Sequence, residues 1–163
     1  MINLKKTRAF FGLDIATRML LVEAFFYLGW ARYLKIRSFS KVAPSLGVQM
    51  GETTMTPNLS HTITLRNVSS AIHIMSRYTF WESQCLVKAM AGLKMLEKRQ
   101  IESTLYLGTA KDEQGELIAH AWLRSGSYYV SGYEEMNRFT VIAQFAKEVS
   151  IKKLEGENYG QHS

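Results

Sequence analysis

Cysteine and proline are scarce in this sequence of 163 residues, which has one cysteine, Cys85, and two prolines. A single cysteine excludes an internal disulfide. The four histidines are scattered, and none has the spacing of zinc ligands. We therefore expect no bound metal, and one domain with a sizeable core is the default for this length.

Long hydrophobic runs are also missing. The apolar stretch after Arg18 is interrupted by Glu23, and the charge-free piece that follows is AFFYLGWA. A membrane-spanning helix needs about 20 apolar residues. The earlier AFFGL is shorter than the apolar core of a secretory signal and is followed at once by Asp14. We therefore expect a cytoplasmic protein.

Acidic residues are scarce in the first 41 residues, which hold eight Lys and Arg against two acids, whereas the remainder holds twelve of each. From Asp14, a predicted N-cap, to about Ile36 the spacing predicts a long amphipathic helix. Its apolar residues are Met19, Val22, Phe26, Trp30, Tyr33 and Leu34. Such a helix is either a solvated face or a surface for anionic lipid, nucleic acid or an acidic protein.

The rest of the chain changes from helical to extended periodicity. After a proline-containing connection, two helices are predicted, from about Ser60 to Arg77 and from Ser83 to about Gln100. Four extended segments follow, STLYLGTA, LIAHAWL, SYYVS and FTVIAQF, which we expect to form an antiparallel meander with LIAHAWL as its central strand. The fold class is therefore α+β.

Cys85 lies in the first turn of the third predicted helix if Ser83 caps that helix. Unsatisfied N–H groups and the positive end of the helix dipole favour a thiolate there. A lone cysteine beside an apolar face is, however, usually a small buried hydrophobe. The position alone leaves both interpretations open.

His120 interrupts the apolar strand LIAHAWL, where an imidazole needs a polar partner. A helix N-terminal thiol beside a histidine on the adjoining sheet is an arrangement for nucleophilic catalysis. A two-residue loop at Ser125-Gly126 would place Ser131 opposite His120. Asp112 would lie about 26 Å away along the extended strand, whereas Glu134, just past the strand, could fold back as an orienting group.

The segment from Ser76 to Phe145 resembles the leader peptidases of lasso-peptide biosynthesis, which are transglutaminase-like cysteine peptidases. The blocks that carry the resemblance are WESQCLV and AHAWL, followed by YYVSG and RFTVIAQF. The resemblance implies a papain/transglutaminase-like core, with the cysteine at a helix N-terminus packed on an antiparallel sheet. It also implies that Cys85 is the nucleophile and His120 its base. The family's orienting Asp has no counterpart near Gly132, which leaves Ser131 and Glu134 as candidates.

The same resemblance implies cleavage of the leader from a ribosomally made precursor peptide, before a separate ATP-dependent lasso cyclase closes the macrolactam. A small separate leader-recognition protein is the expected partner, and an anionic membrane surface is a further candidate. No metal, organic cofactor or nucleic acid is implied. The oxyanion would be held by the Cys85 N–H and by a donor from the preceding loop, for which Trp81 and Gln84 are candidates.

This interpretation divides the chain into an N-terminal helix and connection (1–59), a peptidase core (60–150) and a polar tail (151–163). Two alternatives stay open. An acyl transferase or amidase would use the same thiol and histidine with an amine acceptor. A non-catalytic adaptor would dock through the basic helix, with Cys85 merely buried.

Overall fold

Helices occupy the first two thirds of the chain and most of the strands follow, in a computed structural model that describes residues 12–149. The α-helices are α1 (Ile15–Ile36), α2 (Phe39–Leu46), α3 (Thr62–Ser76) and α4 (Cys85–Lys98). The strands are β1 (Val48–Gln49), β2 (Ser103–Lys111), β3 (Leu117–Ser125), β4 (Tyr128–Ser131) and β5 (Thr140–Lys147). The predicted α+β class is confirmed, while the predicted tail 151–163 lies outside the described residues.

Helix α1 has two apolar faces of different composition. Asp14 is its N-cap, as predicted, because its carboxylate accepts the Thr17 N–H at 2.9 Å. The inner face is formed by small or aliphatic residues that are at most 5% exposed, Leu21, Ala24, Leu28 and Ala31. The outer face carries the larger exposed residues Ile15, Met19, Val22, Phe26, Tyr33 and Ile36. The alanines let α1 pack closely on α3 and α4, so one core continues across the predicted division at residue 60.

The sheet has the strand order β1-β5-β2-β3-β4, with antiparallel neighbours throughout. The four predicted strands are present, but the predicted meander is wrong in its last step. Strand β5 pairs with β2 rather than with β4, and β1 from the proline-containing connection is added beyond β5. The central strand is therefore β2 instead of LIAHAWL, and the outer end of β3 is exposed at Leu117.

The predicted register of the β3–β4 hairpin is also wrong. The loop consists of Gly126 and Ser127, with Ser125 opposite Tyr128 and an irregularity before Ser131. Gly126 has φ +56° whereas Ser127 does not have a positive φ, which fits a type II′ turn with glycine at its first central position. As a result, Ser131 lies opposite Leu123, three residues from His120.

Helix α4 crosses the sheet at Gly92, where a Cβ would lie 2.7 Å from Cδ2 of Leu123. Ala121 and Leu123 belong to the core shared with the helices. Successive side chains in a strand point to opposite faces. His120 and Trp122 therefore point to the face of the sheet opposite to α4.

Candidate active site

Cys85 is the first residue of α4, as the sequence predicts, and its side chain is half-buried against the helical core. The N-cap is Gln84, so the predicted capping role of Ser83 is wrong. The Ser83 hydroxyl is instead hydrogen-bonded to Thr79 Oγ1 at 2.8 Å, within the segment that leads into the helix. The first-turn N–H groups of α4 have no partners within the helix, which makes this end electropositive.

His120 projects from β3 beyond the end of strand β4, which pairs with β3 only at Leu123 to Ser125. Its Nε2 lies 2.9 Å from the carbonyl oxygen of Gly132, just after β4. The imidazole is stacked with two aromatic rings, with centroid distances of 4.9 Å to Phe139 and 5.9 Å to Trp122. These contacts fix the plane of the ring and satisfy one of its two nitrogens.

Gly108 makes room for this aromatic arrangement. It lies opposite His120 in β2, and a Cβ at this position would come within 2.9 Å of both Phe139 Cβ and the Trp122 ring. The sequence analysis missed Gly108, Phe139 and Trp122 as site residues. A glycine within a strand is a signal of close approach, and it was available in STLYLGTA.

The two candidates for an orienting side chain do not contact His120. Ser131 is 3% exposed, and its hydroxyl has no hydrogen-bond partner within residues 12–149. The Glu134 side chain is 69% exposed, and its carboxylate is 3.9 Å from Nε2 of His73. Alternation along β3 puts the His120 side chain on the face of the sheet away from α4, and no hydrogen bond within residues 12–149 joins it to Cys85, so their catalytic pairing stays a prediction.

Trp81 packs against helix α1. Its ring centroid is 5.1 Å from that of Phe25 and 4.5 Å from that of Phe80, and it also covers Gly29. Its indole Nε1 is buried and has no partner in the described part of the chain. Gln84, the other oxyanion candidate, is exposed and makes no side-chain cap.

A chain of aromatic contacts connects the outer face of α1 with the segment that precedes Cys85. Phe26, which is 69% exposed, contacts Phe25 at a centroid distance of 6.0 Å, and Phe25 in turn packs on Trp81. Lys35 adds an ion pair with Glu82 at 3.7 Å. The outer face of α1 is therefore connected through side-chain contacts to Trp81, four residues before Cys85.

The face of the sheet that carries Trp122 also holds a fully buried cation. Arg124 donates five hydrogen bonds, which reach Tyr106, Glu52 and the carbonyls of Thr53, Thr54 and Gly126. Tyr106 stacks on Trp122 and donates its hydroxyl to Glu52 at 2.5 Å. Burial, together with the Glu52 hydrogen bond, raises the pKa of Tyr106 to about 12. This cluster anchors the segment that follows β1.

Within residues 12–149 the structure contains neither a metal-binding cluster of side chains nor a membrane-spanning helix. No group of three or more His, Cys, Asp or Glu side chains in that range is placed to hold a metal ion. No helix there is long and apolar enough to cross a membrane.

Comparison with known proteins identifies the family. The model of the Transglutaminase-like superfamily matches residues 26–144, from within α1 to within β5. This range contains both Cys85 and His120. No curated protein and no solved structure matches the chain. Because the family model covers most of its length, the chain belongs to the Transglutaminase-like superfamily, whose members are typically cysteine peptidases or acyltransferases.

Proposed function

We propose that this protein is a cysteine peptidase that removes the leader from a ribosomally synthesised lasso precursor peptide before macrolactam closure. Cys85 is the nucleophile and His120 is its base. The observation that carries the proposal is the position of Cys85, the single cysteine, as the half-buried first residue of α4. Family membership supports thiol chemistry, and the WESQCLV and AHAWL blocks around Cys85 and His120 favour the leader peptidase.

The proposed reaction uses the two groups in sequence. The imidazole takes the thiol proton, and Sγ of Cys85 attacks the carbonyl carbon at the junction of leader and core. The N–H groups at the start of α4 stabilise the oxyanion of the tetrahedral intermediate. Its collapse breaks the C–N bond, the imidazolium protonates the leaving amine of the core peptide, and water then hydrolyses the leader acyl-enzyme.

The test is incubation with the precursor peptide encoded beside the gene, with and without the neighbouring recognition protein, and analysis of the products by mass spectrometry. We expect leader and core fragments from the wild type and uncut precursor from Cys85→Ala. Cleavage by Cys85→Ala would overturn the proposal. A product in which an added amine replaces the leaving group would instead identify the acyl transferase alternative.

The outer face of α1 is the proposed docking surface for the separate leader-recognition protein. Its exposed apolar residues recur at steps of three, four and seven residues, which is the spacing that a partner helix packs against. Arg18, Arg32 and Arg37 lie on or beside this face, whereas Glu23 is already bound to Arg99 at 2.8 Å. The surface therefore fits a partner helix with an apolar stripe and acidic flanks.

Two exposed residues make this docking proposal testable without disturbing the core. Met19→Glu combined with Phe26→Glu should weaken binding of the recognition protein at least tenfold in calorimetry, because both side chains are 69% exposed. Ile63→Glu, at a residue of α3 that is 75% exposed, is the matched control. Unchanged binding would refute the surface. If the double variant loses binding to anionic vesicles but still binds the recognition protein, the outer face of α1 is a membrane-binding surface instead.

A further inference from the structure

We infer that the main-chain carbonyl of Gly132 orients the imidazole of His120, in place of the carboxylate that a catalytic triad uses. This inference rests on the proposed function, since it assigns a positioning group to the same thiol and imidazole pair. The observation behind it is the 2.9 Å contact between Nε2 of His120 and the Gly132 oxygen.

The contact determines which nitrogen of the neutral ring carries the proton. A carbonyl oxygen can only accept, so Nε2 must donate its N–H. In neutral imidazole the other nitrogen, Nδ1, then has a free lone pair. The hydrogen bond therefore fixes the tautomer in which Nδ1 can take the thiol proton, which is the task of the third member of a triad.

Two rings restrict the imidazole further. Phe139 and Trp122 both stack on it, with interplanar angles of 28° and 26°. These stacked rings oppose rotation of the imidazole out of its plane, while the carbonyl opposes rotation within it. A carboxylate is not needed to hold the ring, and neither Glu134 nor Ser131 is hydrogen-bonded to it.

The position of the carbonyl depends on glycine. Gly132 has φ +77°, in the region that residues other than glycine rarely adopt. A Cβ there would lie 2.4 Å from the Ala121 oxygen and 2.8 Å from Trp122 Cβ. Any larger residue must shift this turn, and the carbonyl would move with it.

Gly115 offers a matched control, because it has φ +83° and nothing lies within 4 Å of a Cβ built on it. Alanine at either position has to adopt a positive φ, but only Gly132→Ala also moves the contact to His120. We expect Gly132→Ala to lower kcat/KM for precursor cleavage about a hundredfold, the cost of misplacing a catalytic group. Gly115→Ala should stay within about twofold, since it strains a turn that touches no site residue.

The second measurement does not depend on activity. Nitrogen-15 chemical shifts of the neutral histidine should show the Nε2–H tautomer of His120 in the wild type and in Gly115→Ala. They should show a mixture or the Nδ1–H form in Gly132→Ala. The Nδ1–H form in the wild type would overturn the inference, even if Gly132→Ala fails to fold. An Nε2–H wild type that cleaves no precursor would leave the hydrogen bond standing and remove the proposed function.

Discussion

His120 and Arg124 lie on the same strand and point to the same side of the sheet, yet their surroundings differ. Arg124 is fully buried and donates five hydrogen bonds. His120 is half-buried, and within residues 12–149 its imidazole makes one hydrogen bond. The reason is the short strand β4, which covers β3 only from Leu123 to Ser125 and leaves the His120 end as an edge.

The difference separates a structural polar residue from a candidate reactive one. A buried charge is tolerated only when its hydrogen-bonding groups are satisfied, and a satisfied group has nothing left to offer a substrate. His120 keeps one ring nitrogen without a partner within the described chain. We therefore expect substitutions at the His120 end of β3 to change the rate of cleavage, and substitutions at the Arg124 end to change the free energy of unfolding.

The largest expected effect is on the rate. Cys85→Ala and His120→Ala should each reduce precursor cleavage to background, a loss of about 10⁴-fold or more, because each removes a group of the proposed reaction. The circular dichroism spectrum should stay nearly unchanged, since both side chains are only half-buried. Substantial turnover by either variant would break the proposed division of roles.

Arg124→Met should have the largest effect on stability. The substitution removes the five hydrogen bonds to Glu52, Tyr106 and three carbonyls, and removing one partner of such a buried network costs about 3–5 kcal/mol. Urea unfolding measures the loss, and Arg138→Met, at an exposed arginine, is the control. If Arg124→Met unfolds at the wild-type urea concentration, the cluster does not stabilise the fold as the contacts indicate.

Most of the helices and strands, and the positions of Cys85 and His120, could be predicted from the sequence, but the pairing of the strands could not. The helical stripes and the apolar strands depend on local spacing, so the positions of Cys85 and His120 followed from the pattern. The pairing of β5 with β2 joins residues distant in the chain, and no local signal specifies it. The β3–β4 register failed because either pair around Gly126 could form a two-residue loop. Moving the loop by one residue shifts the pairing by two, and the irregularity before Ser131 shifts it by one more, so Ser131 lies opposite Leu123 instead of His120.

The partner of His120 could not be predicted for a related reason. Sequence reasoning looks for side chains that can orient an imidazole, and a main-chain carbonyl leaves no mark in the amino-acid identities. Gly132 in YVSG was visible only as a turn residue. Likewise, the exposed aromatic residues of α1 were found by periodicity, whereas the packing of its alanines against α3 and α4 required the three-dimensional contacts.

A smaller effect is expected at alkaline pH. The pKa of Tyr106 is raised from 10.0 to about 12, so the folded state holds the proton more tightly than the unfolded state. Its contribution to the free energy of unfolding is complete below pH 10 and is lost as the pH rises from 10 to 12. Urea midpoints should therefore fall over this range more steeply for the wild type than for Tyr106→Phe. Parallel curves for the two proteins would contradict the assignment.

The smallest expected effect is at Glu134, and it is the most informative about His120. The Glu134 side chain is 69% exposed and its carboxylate lies near His73, so Glu134→Gln should lower kcat/KM less than about threefold. A carboxylate that oriented the imidazole would cost a factor of hundreds or more when neutralised. His73→Gln is the matched control, because it removes the same 3.9 Å contact from the other side. A large loss in Glu134→Gln without one in His73→Gln would show that the turn after Gly132 closes during catalysis and that a carboxylate, not the carbonyl, orients the base.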